Sequence, residues 1–119
     1  MSRAIATCMR LAVGALLLPS VVLAQGDPAK GKDLYAKHCA GCHGLSGKGD
    51  GPAAAAISPK PTDFSNKGYM AGLKDQYLFD LVQKGGAAMG KSPLIIPFGK
   101  KLKDGEIRDV NAYVRSLGR

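Results

Sequence analysis

The residues with the most evident chemical potential lie together in the stretch CAGCH, which contains Cys39, Cys42 and His43. Thiolates and imidazoles bind zinc, and two thiols separated by two residues also form redox pairs. The same spacing followed by histidine is typical of covalent haem attachment. In that chemistry both thiols become thioethers on the haem vinyl groups and the histidine binds the iron. The motif itself is therefore compatible with zinc, dithiol redox chemistry or haem.

The rest of the sequence favours haem. A structural zinc site takes four ligands, usually from two separated pairs. The only other histidine, His38, adjoins Cys39, and no second pair follows. A thioredoxin-like pair lies between a strand and a helix, but no stretch of this chain alternates like a strand. We therefore predict one haem c, bound through Cys39 and Cys42 with His43 as an axial iron ligand.

The first 24 residues have the pattern of a secretory signal peptide. Arg3 and Arg10 form a positive start, residues 11–18 are apolar, and residues 22–24 form a small-residue cleavage site. We predict a signal peptide at residues 1–24 and one small domain at residues 25–119 in the periplasm. No stable membrane span is expected after cleavage, and an uncleaved anchor is the alternative.

Cleavage leaves a chain with few means of stabilising itself. Cys8 would be removed, so Cys39 and Cys42 would be the only cysteines and no disulfide framework could form. The chain has no tryptophan and only three phenylalanines, which predicts a thin protein core. A bound haem would supply apolar surface that the side chains lack.

The charge balance indicates protein partners. The chain has 17 basic and 9 acidic residues, and two of the basic ones lie in the signal, which leaves 15 against 9, or +6. The lysines are scattered, as on any solvated surface, but they also suit a basic face that steers onto an acidic partner. We expect redox partners with acidic docking surfaces. The protein should be a monomer or form only transient complexes with them, and we expect no nucleic-acid partner.

Periodicity and capping predict an all-α fold with three main helices. They run from Asp27–Pro28 to Gly44, over residues 74–86, and over residues 103–119 with Asp104 as a cap. The glycine-rich and proline-rich text between the first two predicts an ordered, irregular loop with one helical turn near residues 53–57. Such long loops fit a small domain if they wrap a large apolar ligand.

The mature chain resembles a small class I c-type cytochrome over nearly its whole length. The matching pieces are GKDLYAKHCAGCHG, GKGDGP, YLFDLVQKGG and PFGKKLKDGEIRDVNAYVRSL. The resemblance implies three helices and long loops around one haem, with Cys39 and Cys42 as thioether residues and His43 as the proximal ligand. It also implies close packing of the first and last helices, with Gly31 opposite Tyr113.

In this family a proline carbonyl usually accepts a hydrogen bond from the proximal histidine, which fixes the imidazole ring. Pro52 is the best match for that proline, and Pro59 and Pro61 are rivals.

One departure from the family pattern concerns the second axial ligand. The family usually has a methionine in the loop before the last helix, and the alignment places Ile95 at that position. Isoleucine cannot bind iron. Met89, six positions earlier in the same loop, is the candidate replacement, and Met70, Lys91 and His38 are weaker ones. The other outcome is an open distal pocket lined by Ile95.

These alternatives predict different functions. A sulfur ligand would give a six-coordinate haem that shuttles single electrons, which is an electron carrier and not an enzyme. An open site would bind a small gas such as NO or CO. A third alternative is an accessory cytochrome subunit of a larger oxidoreductase.

Overall fold

The computed structural model describes Gly14 and residues 25–119, so the predicted signal peptide lies almost wholly outside the described residues. Within the described part the chain is helical and has no strand, which confirms the all-α prediction. The elements are α1 (Pro28–His38), α2 (Ala40–His43), a 3-10 turn (Ala54–Ala56), α3 (Lys67–Ala71), α4 (Asp75–Lys84), a second 3-10 turn (Ala87–Met89) and α5 (Asp104–Leu117). Among these helices, none is long and apolar enough to span a membrane.

The helix boundaries follow local chemistry. The Asp27 carboxylate accepts the backbone N–H of Ala29 at 2.9 Å, and proline occupies the first position of α1. The predicted first helix is broken at Cys39, whose φ of −120° interrupts the helix before α2. Asp104 lies in the first turn of α5 and Lys103 is the cap residue, so the predicted cap was one position late.

Two short elements were not predicted: α3 and the 3-10 turn at Ala87–Met89. Neither is long enough to show a helical period in the sequence. The Asn66 side chain accepts the backbone N–H of Tyr69 at 3.0 Å and thereby starts α3. The predicted turn near residues 53–57 is present as Ala54–Ala56.

The first and last helices cross closely at Gly31. A Cβ on this residue would lie 3.0 Å from the backbone N of Val110 and much closer to the Asp109 carbonyl oxygen. One turn further along each helix, the rings of Tyr35 and Tyr113 pack with centroids 5.1 Å apart. The predicted helix pair is therefore present. The direct neighbour of Gly31 is backbone, and Tyr113 packs against Tyr35.

The core consists of two apolar clusters. The first joins all five α-helices through Tyr35, Ala40, Met70, Leu78, Val110 and Val114. The second joins the loop after α4 to α5 through Phe98, Leu102 and Ile107. No polar or charged residue of the described part is buried.

Arg115 of α5 ties the α3–α4 connection to the core. Its guanidinium donates to the backbone carbonyls of Met70 and Leu73, and its Nε lies 2.9 Å from a carboxylate oxygen of Asp75. The arginine side chain is 22% exposed and the aspartate 77%. The carbonyl contacts are therefore the shielded part of this arrangement.

Candidate functional site

The two thiols lie on one helical turn. Cys39 is the residue before α2 and Cys42 belongs to it, and the carbonyl of Cys39 accepts the backbone N–H of His43 at 2.9 Å. Residues three apart on a helix share a face, so this turn presents both sulfurs to one side. Both cysteines are half-buried free thiols.

Burial makes the Cys39 thiol a poor candidate for thiolate chemistry. It raises the pKa of Cys39 to about 11, and the neighbouring Cys42 adds to the shift. Reactive cysteines of redox motifs instead have lowered pKa values, because the thiolate is the nucleophile. Nor does the described part place three or more His, Cys, Asp or Glu side chains together as a metal cluster.

His43 is held in one tautomer with one nitrogen left for a ligand. Its Nδ1 lies 3.2 Å from the carbonyl oxygen of Thr62. A carbonyl can only accept, so Nδ1 carries the proton and donates it, and the Nε2 lone pair is free. Burial lowers the pKa of His43 and outweighs the opposing effect of the Thr62 bond. The imidazole is thus kept neutral, which is the form that binds iron.

The prediction that Pro52 accepts the histidine hydrogen bond was wrong, and neither rival proline accepts it. The loop after α2 first folds back onto that helix, since the N–H groups of Gly49 and Gly51 donate to the carbonyls of His43 and Cys42 at 2.8 and 3.1 Å. Pro52 follows this return. The chain meets the imidazole only at Thr62, directly after Pro61. A backbone carbonyl occurs at every residue, so the residue type carried no signal for Thr62.

Phe64 is a second residue at the site that the sequence analysis missed. Its ring stacks on the His43 imidazole with centroids 4.3 Å apart and an interplanar angle of 20°. Phe64 is half-buried at the edge of the first core cluster. A DF dipeptide in a loop shows no period that would single it out.

Residues 85–99, here called the distal loop, contain both Met89 and Ile95. The N–H of Gly86 donates to the carbonyl of Ile95 at 2.8 Å, and the carbonyl of Gly86 accepts from Met89 and Lys91 at 3.0 and 2.8 Å. A Cβ on Gly86 would lie 3.0 Å from the Cβ of Ile95. Both side chains are half-buried. They are therefore anchored to the same glycine within one small loop.

The weaker iron-ligand candidates occupy other environments. Met70 is only 2% exposed and packs in the first core cluster. Lys91 is exposed. His38 is half-buried, and its ring packs in an edge-on arrangement with Phe98 at a centroid distance of 5.5 Å.

The donor set and its surroundings fit a covalently bound haem. Two thiols on one turn are followed by a neutral histidine with a free nitrogen. Cys39 packs against the first core cluster, as half-buried Leu34, Leu73 and Tyr77 also do. An apolar group attached at Cys39 would extend that cluster. This agrees with the expectation that a bound haem supplies apolar surface that the side chains lack.

This combination defines a class: an all-α domain in which a CxxCH turn presents two thiols and a histidine next to apolar side chains. The sequence profile of the family Cytochrome c matches residues 28–118, and the chain therefore belongs to the cytochrome c family. The family implies a covalently bound haem c. The resemblance found in the sequence is thereby confirmed.

Two solved structures share the fold. The KustC0563 c-type cytochrome is 22% identical, with a TM-score of 0.61, over 75% of this chain and 98% of that chain. A chain of the Kuenenia stuttgartiensis reducing HAO-like protein complex Kustc0457/Kustc0458 is 24% identical, with a TM-score of 0.63, over 79% of this chain and 44% of that chain. At these identities the likeness shows the fold alone. No curated protein matches the chain significantly.

Proposed function

We propose that the protein is a periplasmic one-electron carrier with a single haem c. The observation that carries the proposal is His43: neutral, fixed through Nδ1 by Thr62, and free at Nε2 one residue after Cys42. When bound, a haem of this type supplies reversible one-electron chemistry at its iron. Cys39 and Cys42 would hold the haem, and His43 would bind the iron on the proximal side. The apolar side chains around Cys39 would keep water from that side.

The surface around the distal loop suits a redox protein partner. Leu94 and Ile96 are 56% and 47% exposed. The exposed lysines near them in the sequence are Lys91, Lys100, Lys101 and Lys103. Exposed apolar side chains with lysines nearby in the sequence suit a partner whose docking surface is acidic, and charge of this kind favours rapid, short-lived encounters. We therefore propose transient complexes with acidic redox proteins.

For the sixth iron ligand we propose Met89. It is half-buried in the distal loop, where the family has its methionine, and its backbone is tied to the same glycine as Ile95. Thioether ligation would give a six-coordinate haem with a raised potential and little rearrangement on electron transfer.

A second candidate function follows from Ile95. This residue stands at the family's methionine position and contributes no donor atom. Without a sulfur ligand the iron would be five-coordinate, and the pocket beside Ile95 would take a small neutral gas such as NO or CO. A third candidate, a cytochrome subunit of a larger oxidoreductase, is supported by the structural neighbour that belongs to the reducing HAO-like protein complex.

Optical spectra of the purified ferric holoprotein test the first two candidates. With Met89 bound, we expect the weak far-red band of methionine sulfur on ferric haem, and its loss in Met89→Ala. Met70→Leu is the matched control, because Met70 is a core residue, and this variant should keep the band. If the wild-type protein lacks the band and its ferrous form binds CO rapidly, the gas-binding function is supported. Ile95→Met should then create the band.

We also propose that residues 1–24 are a signal peptide that directs export. The mass of the protein purified from the periplasmic fraction tests this proposal. A mature chain that starts at Gln25 and carries the added mass of one haem is expected. A full-length chain retained with the membranes would instead indicate an uncleaved anchor.

A further inference from the structure

We infer that Phe64 positions the axial histidine, by setting the plane in which the His43 imidazole lies. The two rings are nearly parallel, with an interplanar angle of 20° and a centroid separation of 4.3 Å. This contact is face to face, so it restricts the tilt of the imidazole and not only its location. The inference rests on His43 binding the haem iron, and it holds for an electron carrier and for a gas-binding protein alike.

The hydrogen bond to Thr62 restrains the ring plane only in part. The imidazole turns about its Cβ–Cγ bond, and the 3.2 Å contact between Nδ1 and the carbonyl oxygen limits that torsion. A hydrogen bond of this length tolerates a range of ring angles. The phenyl face of Phe64 narrows the range, because a turned imidazole would press its edge into the ring. The two contacts therefore restrain the same torsion together.

Phe64 is itself held from both sides. Its backbone N–H donates to the carbonyl of Gly47 at 2.6 Å. A Cβ on Gly47 would lie 3.3 Å from the Cβ of Phe64 and 2.7 Å from Cδ1 of Leu117, so the loop passes close to both residues, and the φ of +74° favours glycine at this position. On the other side, a Cβ on Gly118 would lie 2.9 Å from the carbonyl oxygen of Phe64.

This arrangement gives a role to the LSGKG segment, residues 45–49, that follows the attachment motif. The loop clamps Phe64 between itself and the end of α5, and Phe64 in turn restrains His43. The ring contact thus links the haem-side histidine to the rigid pair of terminal helices. Held side chains of this kind are how proteins keep a metal ligand in one orientation.

The plane of an axial imidazole decides how unpaired electron density is distributed over a ferric haem. The four haem-methyl proton shifts of the ferric protein therefore report that plane directly. We expect Phe64→Leu to reorder or compress these four shifts relative to the wild type, while retaining histidine ligation. Phe64→Tyr keeps an aromatic face and should restore the wild-type order.

Phe79→Leu is the matched control. Phe79 is also half-buried, but it packs with the second core cluster and under the guanidinium of Arg108 at 4.9 Å. The same change of side chain there should leave the shift pattern unchanged. An unaltered pattern in Phe64→Leu, or the same alteration in Phe79→Leu, would overturn the inference.

A measurement on the wild-type protein covers the case in which Phe64→Leu does not fold. In the diamagnetic ferrous holoprotein, prepared as its CO complex if the distal site is open, nuclear Overhauser contacts are expected between the rings of Phe64 and His43. Their absence would overturn the inference without any variant. If His43 shows none of the large ring-current shifts of a haem ligand, the site assignment itself fails, and this is distinguishable from a failure of Phe64 alone.

Discussion

Replacing Gly31 by alanine should destabilise the protein although alanine is the better helix former. A Cβ at this position meets the backbone of α5, with Val110 N at 3.0 Å and the Asp109 carbonyl nearer still. Non-bonded carbon atoms pack at about 3.5 Å, so the two helices must separate by on the order of 1 Å. Backbone atoms cannot rotate away as a flexible side chain could. The packing between Tyr35 and Tyr113 would open with the crossing.

The magnitude follows from two opposing effects. Overpacking of a close contact costs about 1–3 kcal/mol, and the upper part of that range applies because the obstacle is backbone. The gain in helix propensity from glycine to alanine offsets up to about 1 kcal/mol. The expected net loss is about 2 kcal/mol of unfolding free energy, which for a domain of this size lowers Tm by roughly 10 °C.

Urea unfolding of the holoprotein, followed by circular dichroism and by haem absorbance, measures this loss. Gly105→Ala is the matched control, since Gly105 also lies in a helix but its Cβ would meet nothing within 4 Å. This control should be neutral or more stable by up to about 1 kcal/mol. If Gly31→Ala were as stable as Gly105→Ala, the close crossing of α1 and α5 would be refuted.

Three further substitutions test how the helices and the attachment turn are held together. Arg115→Ala should cost about 2–3 kcal/mol, because it leaves the shielded carbonyls of Met70 and Leu73 without their charged donor. Asp75→Ala should cost less than about 1 kcal/mol, since that carboxylate is 77% exposed; equal losses in thermal unfolding would contradict this assignment. Tyr35→Phe should cost about 1 kcal/mol in the same assay. It removes the buried hydroxyl that donates to the backbone carbonyl of Gly44 at 2.7 Å and leaves that carbonyl without its donor. An unchanged Tm would show that this bond contributes nothing.

The attachment half of the site could be predicted from the sequence. The thiol spacing and the following histidine are covalent facts, and they require only one helical turn to come together. Long helices were predictable for a related reason: the apolar period of α5 and the Asp27–Pro28 start of α1 depend on neighbours within a few residues. Short elements such as α3 lack a full period and so left no such signal.

The surroundings of the histidine depended on chain folding at longer range. Thr62 offers a backbone carbonyl, a group that every residue has, and Phe64 reaches His43 only because the intervening loop turns back twice. The residue type suggested Pro52, but the path of the chain put that residue on the return stretch beside α2.

The same contrast holds in the distal loop. The sequence alone shows that Ile95 carries no iron-binding atom and that Met89 lies in the same loop, whereas only the structure shows that the backbones of both residues are hydrogen-bonded to Gly86. Composition and spacing specify which atoms are available, and packing specifies where they point, because orientation arises from contacts between segments far apart in the chain.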